Sequence, residues 1–119
     1  MLSKIDSDKL AVFVVWLPFV AGDSLEKATE SMKVVTDKRA KQFWDSKVEI
    51  GRAFAPHIKG EPVSLAWDYY ALFDFGAKWR DSPPAPAEWM HQLVGIAPDR
   101  MLDADRFRAL TQKLLKSVK

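Results

Sequence analysis

Residues 10 to 22 read LAVFVVWLPFVAG, an uninterrupted apolar run that decides the fold. Its thirteen residues are too few to span a bilayer, which takes about twenty. It is also a poor export signal, because two acidic residues offset the two lysines before it and Val20-Ala21-Gly22 is only a loose cleavage site. Its β-branched and aromatic residues predict instead a strand covered by helices on both faces. We therefore expect a soluble, cytoplasmic protein with no membrane contact.

The amino-acid composition is informative mainly because it excludes several classes of chemistry and binding partner. The chain has 119 residues, enough for a single domain over residues 1–119 without a metal or disulfide. It has no cysteine, which removes disulfides, thiolate nucleophiles and Cys-ligated metal sites. Its eighteen basic and sixteen acidic residues are interleaved and leave a net charge of +2, so nucleic-acid binding is not expected. The two histidines lack a metal-binding motif, and we predict neither a metal nor a cofactor.

After the first strand, the pattern predicts a helix, a weaker strand and a second helix. Asp23 or Ser24 is a suitable N-cap, and apolar residues then recur at helical spacing. Pro56 lies inside the second helical pattern and should kink or end it, because proline lacks an amide hydrogen and crowds the preceding turn. These three elements cover Leu25–Val35, Lys38–Asp45 and Val48–Ile58.

In the second half of the chain, the residue pattern predicts a hairpin, a stiff loop and two helices. WDYYALFDF is a strong strand, Gly76-Ala77 is a two-residue turn, and KWR is the return strand. Three prolines stiffen the loop that follows. The last helix has Asp103 as its N-cap and lysines near its end, where they favour the helix dipole. The predicted ranges are Trp67–Phe75, Lys78–Arg80, Asp81–Pro86 for the loop, Ala87–Val94 for a short helix, and a final helix after Asp103.

This order of elements predicts an α/β fold. A helix between the first two strands implies a right-handed parallel crossover, and the Gly76-Ala77 turn makes the last pair antiparallel. We expect a three-layer α/β/α sandwich, in which a mixed four-stranded sheet carries helices on both faces.

Several local stretches also resemble the thioredoxin fold. VFVVWLPFVAGDSLEKA resembles that family's strand, active-site loop and long helix, and DYYALFDFGAKW resembles its later hairpin. The combination of WLPFVAGDS, QFWD, AWDYYALFDFGAKW and PPAPAEWMHQL is similar to a group of uncharacterised bacterial thioredoxin-like proteins. The resemblance covers residues 9 to 116 in topology and implies a thioredoxin-like domain.

The resemblance does not extend to redox chemistry. The two family cysteines would fall near Phe19 and Gly22, and this chain has no thiol there. The proline that usually precedes the family's hairpin strand aligns with Asp68, and Pro62 lies six residues too early. Because thiol–disulfide exchange requires a thiolate, we expect the fold without that activity.

The loop after the first strand is the predicted ligand site. In open α/β sheets, ligands bind beyond the carboxyl ends of strands, where amides at a helix N-terminus receive an anion. Asp23 is itself negative, and Asp23 and Ser24 are ordinary caps, so capping alone is the alternative. The resemblance brings Trp67 and Asp68 to the same cleft. The predicted cleft residues are Trp16, Pro18, Asp23, Ser24, Trp67, Asp68, Trp89 and His91.

Three carboxylates, two histidines and five tryptophans are the other candidates. Asp23, Asp45 and Asp68 lie at predicted element ends, where they would suit either a cluster for a general acid or metal, or ordinary solvated turns. His57 lies on an apolar helix face, which favours a core-edge role, whereas His91 follows the proline loop and is the better functional candidate. The tryptophans fit either core packing or an aromatic-lined surface.

Two functions of different class follow from these candidates. The first is a non-catalytic module that binds an unidentified protein or small molecule with the loop side of the sheet. The alternative is an enzyme in which His91 or Asp68 acts as acid or base in the cleft. A homodimer formed through an aromatic face is the third possibility.

Overall fold

The structure, a computed structural model, describes residues 4–18, 24–58, 65–93 and 96–118. Within these ranges the chain is a mixed α/β protein with three α-helices and two small sheets of two strands each. The predicted α/β class is therefore confirmed. No helix in this part of the chain is both long and apolar enough to cross a bilayer.

The first sheet pairs two strands through a helical crossover. Strand β1 (Val12–Trp16) and strand β2 (Ala40–Trp44) are joined by helix α1 (Leu25–Met32). The strands are parallel, with Val14 opposite Gln42. A parallel pair is what the intervening helix predicts.

Polar side chains join α1 to this sheet and fix its start. The Gln42 amide nitrogen donates to the Met32 carbonyl at 3.0 Å, and the Gln42 oxygen accepts from the Trp16 indole at 2.9 Å. The Ser24 hydroxyl accepts from the Lys27 amide at 3.2 Å, so Ser24 is the N-cap of α1. Helix α1 therefore covers the sheet face that carries Trp16.

Helix α2 (Glu49–Phe54) begins on a buried carboxylate. Asp45, only 9% exposed, accepts from the amides of the first two helical residues at 3.0 and 2.8 Å. These amides have no partner inside the helix, so Asp45 satisfies them in place of water. The helix ends in a 3₁₀ turn, Ala55–His57, that contains Pro56. The predicted break at this proline is confirmed.

The second sheet pairs strand β3 (Tyr69–Leu72) with strand β4 (Glu88–His91). The pair is antiparallel, with Tyr70 opposite Met90. A single parallel bridge from His91 to Met101 extends the sheet on the other side of β4. The edge of β4 that faces away from β3 is therefore partly covered.

Helix α3 (Ala104–Lys116) closes the described chain. Asp103 is its N-cap, as predicted, because its side chain accepts from the Arg106 amide at 3.0 Å. Phe107 is buried, and its ring centroid lies 6.3 Å from that of Tyr70. The helix thus packs its apolar side against β3.

Two predictions for the second half are wrong. Lys78–Arg80 is not the return strand, because its residues are exposed and lie in the connection between β3 and β4. The return strand is Glu88–His91, inside the range Ala87–Val94 where we predicted a helix. The physical reason is burial: Trp89, Met90 and His91 are all buried when extended, whereas the charged KWR segment gains nothing from pairing.

The predicted four-stranded sheet is not confirmed. Among the described residues β1 is hydrogen-bonded to β2, β3 to β4, and the two pairs form separate sheets. The main buried cluster lies with the second sheet rather than between the two. Its members are Ile58, Ala66, Trp89 and Leu93, with Phe54, Trp67, Tyr69, Ile96 and Ala97 packed against it.

Candidate functional site

Phe54 is the centre of an aromatic cluster between α2 and the β3–β4 connection. Its ring centroid lies 5.9 Å from that of Tyr69, 6.1 Å from Phe73 and 5.4 Å from Trp79, which it meets edge to face. His57 adds a further ring at 6.3 Å. Aromatic pairs at these separations attract one another beyond the effect of burial alone. The rings therefore support one another in a fixed arrangement.

The cluster continues from Phe54 into the core. Tyr69 lies 6.1 Å from Trp89, and Trp89 lies 5.9 Å from His91, measured between ring centroids. The Arg100 guanidinium lies over the Trp89 ring at 5.0 Å, a cation–π contact. Trp89 and His91 are both buried. The aromatic series is thus anchored at one end in the hydrophobic core.

At the end away from the core, the aromatic cluster is formed by residues of the long loop between β3 and β4. The β3–β4 loop is the fifteen residues between Leu72 and Glu88, and it contains no helix or strand. Its three aromatic residues are exposed, with Trp79 49% and Phe75 86% accessible. Loops of this length without secondary structure are uncommon in compact domains and are either functional loops or linker segments. We call Phe73 and Trp79, the Phe54 ring that contacts both, and the neighbouring Phe75 the aromatic loop surface.

Contacts at both ends hold this loop. The Ala87 amide donates to the Leu72 carbonyl at 2.7 Å and closes its base. Pro83 is buried, and its carbonyl accepts from Nε2 of His57 at 3.2 Å. Gly76 has φ of 86°, a left-handed value that suits glycine at the turn. The loop is therefore attached to α2 as well as to the strands.

The charges of the loop balance. Asp74 and Asp81 offset Lys78 and Arg80, and all four are exposed. Within the described part of the chain, none of them forms an ion pair. A surface with exposed rings and no net charge suits an apolar contact better than a strongly charged one.

His91 is fully engaged with the backbone. Its Nδ1 accepts from the Leu93 amide at 2.9 Å, and its Nε2 donates to the Ala97 carbonyl at 2.9 Å. Since an amide only donates and a carbonyl only accepts, the ring is neutral with its hydrogen on Nε2. The side chain is 0% exposed. The geometry therefore leaves neither nitrogen available for the predicted acid or base role.

The other predicted cleft residues divide between the two sheets. Trp67 packs on the buried cluster that contains Trp89, and the Trp89 ring in turn contacts the His91 ring. Asp68 is exposed, with φ of 46°, and its carbonyl accepts from the Gln92 amide at 3.0 Å. The second-sheet members Trp67, Trp89 and His91 are thus brought together, but as packing around a core rather than as walls of an open cleft.

The first-sheet members do not join that cluster. Trp16 hydrogen-bonds Gln42, and it is not among the residues packed on the core beneath β4. Ser24 is the N-cap of α1, the alternative to ligand binding that its sequence position allows. Pro18 lies half-buried just beyond β1. Asp23 lies outside the described residues. The contacts of the described residues thus assign the two groups to different sheets, and their convergence on one cleft stays a prediction.

The carboxylates show no cluster either. Asp45 is committed to the start of α2, and Asp68 is exposed on the other sheet. No group of three acidic or histidine side chains within the described ranges is arranged to hold a metal ion.

Tyr69 is the one unusual polar group in the aromatic cluster. Its hydroxyl is buried, and no described residue hydrogen-bonds to it. Burial raises the pKa of Tyr69 to about 12, against a smaller opposing effect from the positive charge of Arg100. The phenol is therefore neutral under all ordinary conditions and contributes chiefly its ring.

Two shallow concavities lie elsewhere on the described part of the chain, beside residues 5–7. One open groove of about 500 Å³ runs past Gln112 and Lys116, and another of about 650 Å³ runs past Asp37. Between them Arg39 holds the N-terminal segment, donating to the carbonyls of Ile5 and Ser7 at 2.8 and 3.1 Å. Hydrogen bonds from Arg39 lower the pKa of Asp37 to about 2. This arrangement ties down a chain segment and presents no convergent reactive group.

The sequence pattern did not indicate that Phe54 and Phe73 belong to the candidate surface. It placed tryptophans on both sides of the proline loop, but it assigned Lys78–Arg80 to a strand. The sequence does contain an indication of an exposed aromatic loop. Charged residues are interspersed with aromatic ones through FDFGAKWRD, and three prolines follow. Comparison with known proteins yields no match among family models, curated proteins or solved structures.

Proposed function

We propose that this protein is a binding module that holds an apolar segment of another polypeptide on the aromatic loop surface. The observation that carries the proposal is the contact of exposed Trp79 with Phe54 at 5.4 Å, edge to face. That contact orders a large ring before any partner arrives, so binding loses less side-chain freedom than it would with a free tryptophan. Tryptophan is among the residues that dominate binding energy at protein interfaces, and phenylalanine is enriched there.

The thioredoxin-like resemblance is part of the same proposal. The elements follow in the order β1, α1, β2, α2, β3, β4, α3, which supports it. A chain without cysteine performs no thiol–disulfide exchange, so the scaffold would serve recognition instead. The acid–base alternative has less support, because both ring nitrogens of His91 are hydrogen-bonded to backbone groups.

Selection of peptides tests the proposal without a known partner. A phage-displayed library of random peptides is panned on the immobilised protein and, in parallel, on the Trp79→Ala variant. We expect peptides rich in apolar residues that bind the native chain at least about thirtyfold better, since removing a central tryptophan commonly costs about 2 kcal/mol or more.

Two further variants control for altered folding and for general stickiness. Phe43→Ala removes a ring of comparable exposure from the first sheet, 47% against 49% for Trp79, and should leave binding unchanged. Trp79→Phe keeps a ring against Phe54 and should retain part of the affinity. Failure to select any peptide, or equal binding to the Trp79→Ala variant, would overturn the proposal.

A further inference from the structure

Strand β1 has an edge that no described strand covers. It pairs with β2 on one side only, within the described ranges. The surrounding segment, residues 10 to 18, reads LAVFVVWLP and has no charged side chain. Native proteins normally guard a free strand edge with lysine, proline or a bulge, and β1 itself contains neither lysine nor proline. Its composition is that of an inner strand.

Strand β2 is built as an outer strand. Lys41 is exposed near its middle, and the exposed Lys38 lies just before its first residue. Charges of this kind discourage further pairing along an edge. The first sheet is therefore asymmetric, guarded on the side of β2 and open on the side of β1.

The sheet face turned away from α1 is apolar beside this open edge. Phe13 is 64% exposed and Phe43 47% exposed, and their rings stack with centroids 6.4 Å apart. Val15 shares the face, because alternate residues of a strand point to the same side. Lys41 of β2 lies on the same face opposite Phe13, so the apolar strip consists of Phe43, Val15 and Phe13 and ends at the unguarded edge.

We propose that a second copy of this chain occupies the edge, pairing β1 with β1 antiparallel about a twofold axis. With the axis at Val14, Phe13 of each copy lies opposite Val15 of the other, an aromatic and β-branched pair of the kind that stabilises sheets. No like charges meet, because residues 10 to 18 carry none. The product is a four-stranded sheet with β2 outermost on both sides, and its lysines stop growth at a closed dimer.

The competing occupant is β3 of the same chain, which would complete the four-stranded sheet expected from the sequence. Sedimentation equilibrium and amide hydrogen exchange together separate the two. We expect the native chain to sediment at twice its mass of 13.5 kDa. The β1 amides that point away from β2 should lose protection on dilution, whereas those hydrogen-bonded to β2 should keep it. The dimer uses the first sheet, so this outcome does not depend on the aromatic loop surface.

Two lysine variants complete the test. Phe13→Lys places a charge on each side of the axis and should weaken the dimer about tenfold or more, through the loss of two cross-strand pairs. Val34→Lys, at a more exposed site beyond α1, should leave the dimer unchanged. A monomer whose outward-pointing β1 amides, those not paired with β2, are protected at every concentration assigns the edge to β3 and overturns the proposal. A monomer in which those amides are unprotected, or an open-ended aggregate, overturns it as well.

Discussion

Replacing Tyr69 with phenylalanine is expected to stabilise this protein. The Tyr69 ring packs between Phe54 and Trp89, at 5.9 and 6.1 Å, while its hydroxyl is buried without a partner among the described residues. Tyr69→Phe keeps both ring contacts and removes only the unsatisfied oxygen. A buried polar group without a partner costs about 1–3 kcal/mol. Because part of the residue remains exposed, we expect the lower end, about 1 kcal/mol of added stability.

Urea unfolding followed by circular dichroism measures this change. The midpoint should rise with an unchanged slope, and the melting temperature should rise by about 4 °C for a domain of this size. Tyr70→Phe is the matched control, because its hydroxyl donates to the Gln92 side chain at 2.7 Å. That variant should lose about 0.5 kcal/mol. A destabilised Tyr69→Phe variant would show that the hydroxyl has a partner and would refute the reasoning.

Alkaline pH provides a second readout of the same perturbation. Burial raises the pKa of Tyr69 to about 12, whereas an unfolded tyrosine ionises near 10. Between these values the native state keeps a proton that the unfolded state releases, so stability is intact below pH 10 and falls above it. Tyr69→Phe should reduce this fall. Burial, with a smaller effect from Asp68, also raises the pKa of Tyr70, so Tyr70 contributes in the same direction and some of the fall should remain.

Three further outcomes test the packing around the site. Asp45→Ala should lower the unfolding free energy by about 2 kcal/mol and Asp45→Asn by less, because the start of α2 loses one or both acceptors; equal stability in urea would contradict this. Gly51→Ala should destabilise by about 1–3 kcal/mol although alanine favours helices, since its Cβ would collide with the Leu65 side chain and lie 3.0 Å from the Ala66 carbonyl oxygen; an increased melting temperature would count against that packing. Nitrogen NMR of His91 should show the hydrogen on Nε2 at neutral pH, and the other tautomer would refute its assigned hydrogen bonds.

The elements set by local signals were predictable from the sequence. The uncharged run around Val12–Trp16 indicated a strand, Asp103 marked the start of the last helix, and Pro56 marked the end of α2. Each depends on residues within one or two turns of chain. Their positions therefore required no knowledge of tertiary contacts.

The return strand was not predictable in this way. Gly76 does form a turn, but that turn is followed by an exposed segment, and the chain rejoins β3 only at Glu88. A run as short as Trp89-Met90-His91 fits the residue patterns of a buried helix and of a buried strand equally well. Burial beside Tyr69 and the core decided in favour of the strand.

The site depends even more on contacts distant in sequence. For the Asp45 carboxylate the sequence leaves two interpretations open, a cluster for an acid or metal and an ordinary solvated turn. In the structure it is buried and accepts from the first amides of α2, because the left-handed Val48 between them turns the chain, which no local pattern indicates. The edge-to-face contact of Phe54 and Trp79 joins a helix to a loop. Aromatic composition indicated a surface of this kind, but only the folded chain specifies which rings form it.

The most direct test of the proposed function uses the indole groups of the tryptophans as internal probes. A peptide selected on the native protein is titrated into isotopically labelled protein while the five indole N–H signals are followed by NMR. The account predicts that the Trp79 signal shifts with saturation and that the Trp16 signal, held by Gln42 at 2.9 Å, stays in place. A peptide that shifts Trp16 and leaves Trp79 unmoved would contradict the assignment of binding to the aromatic loop surface.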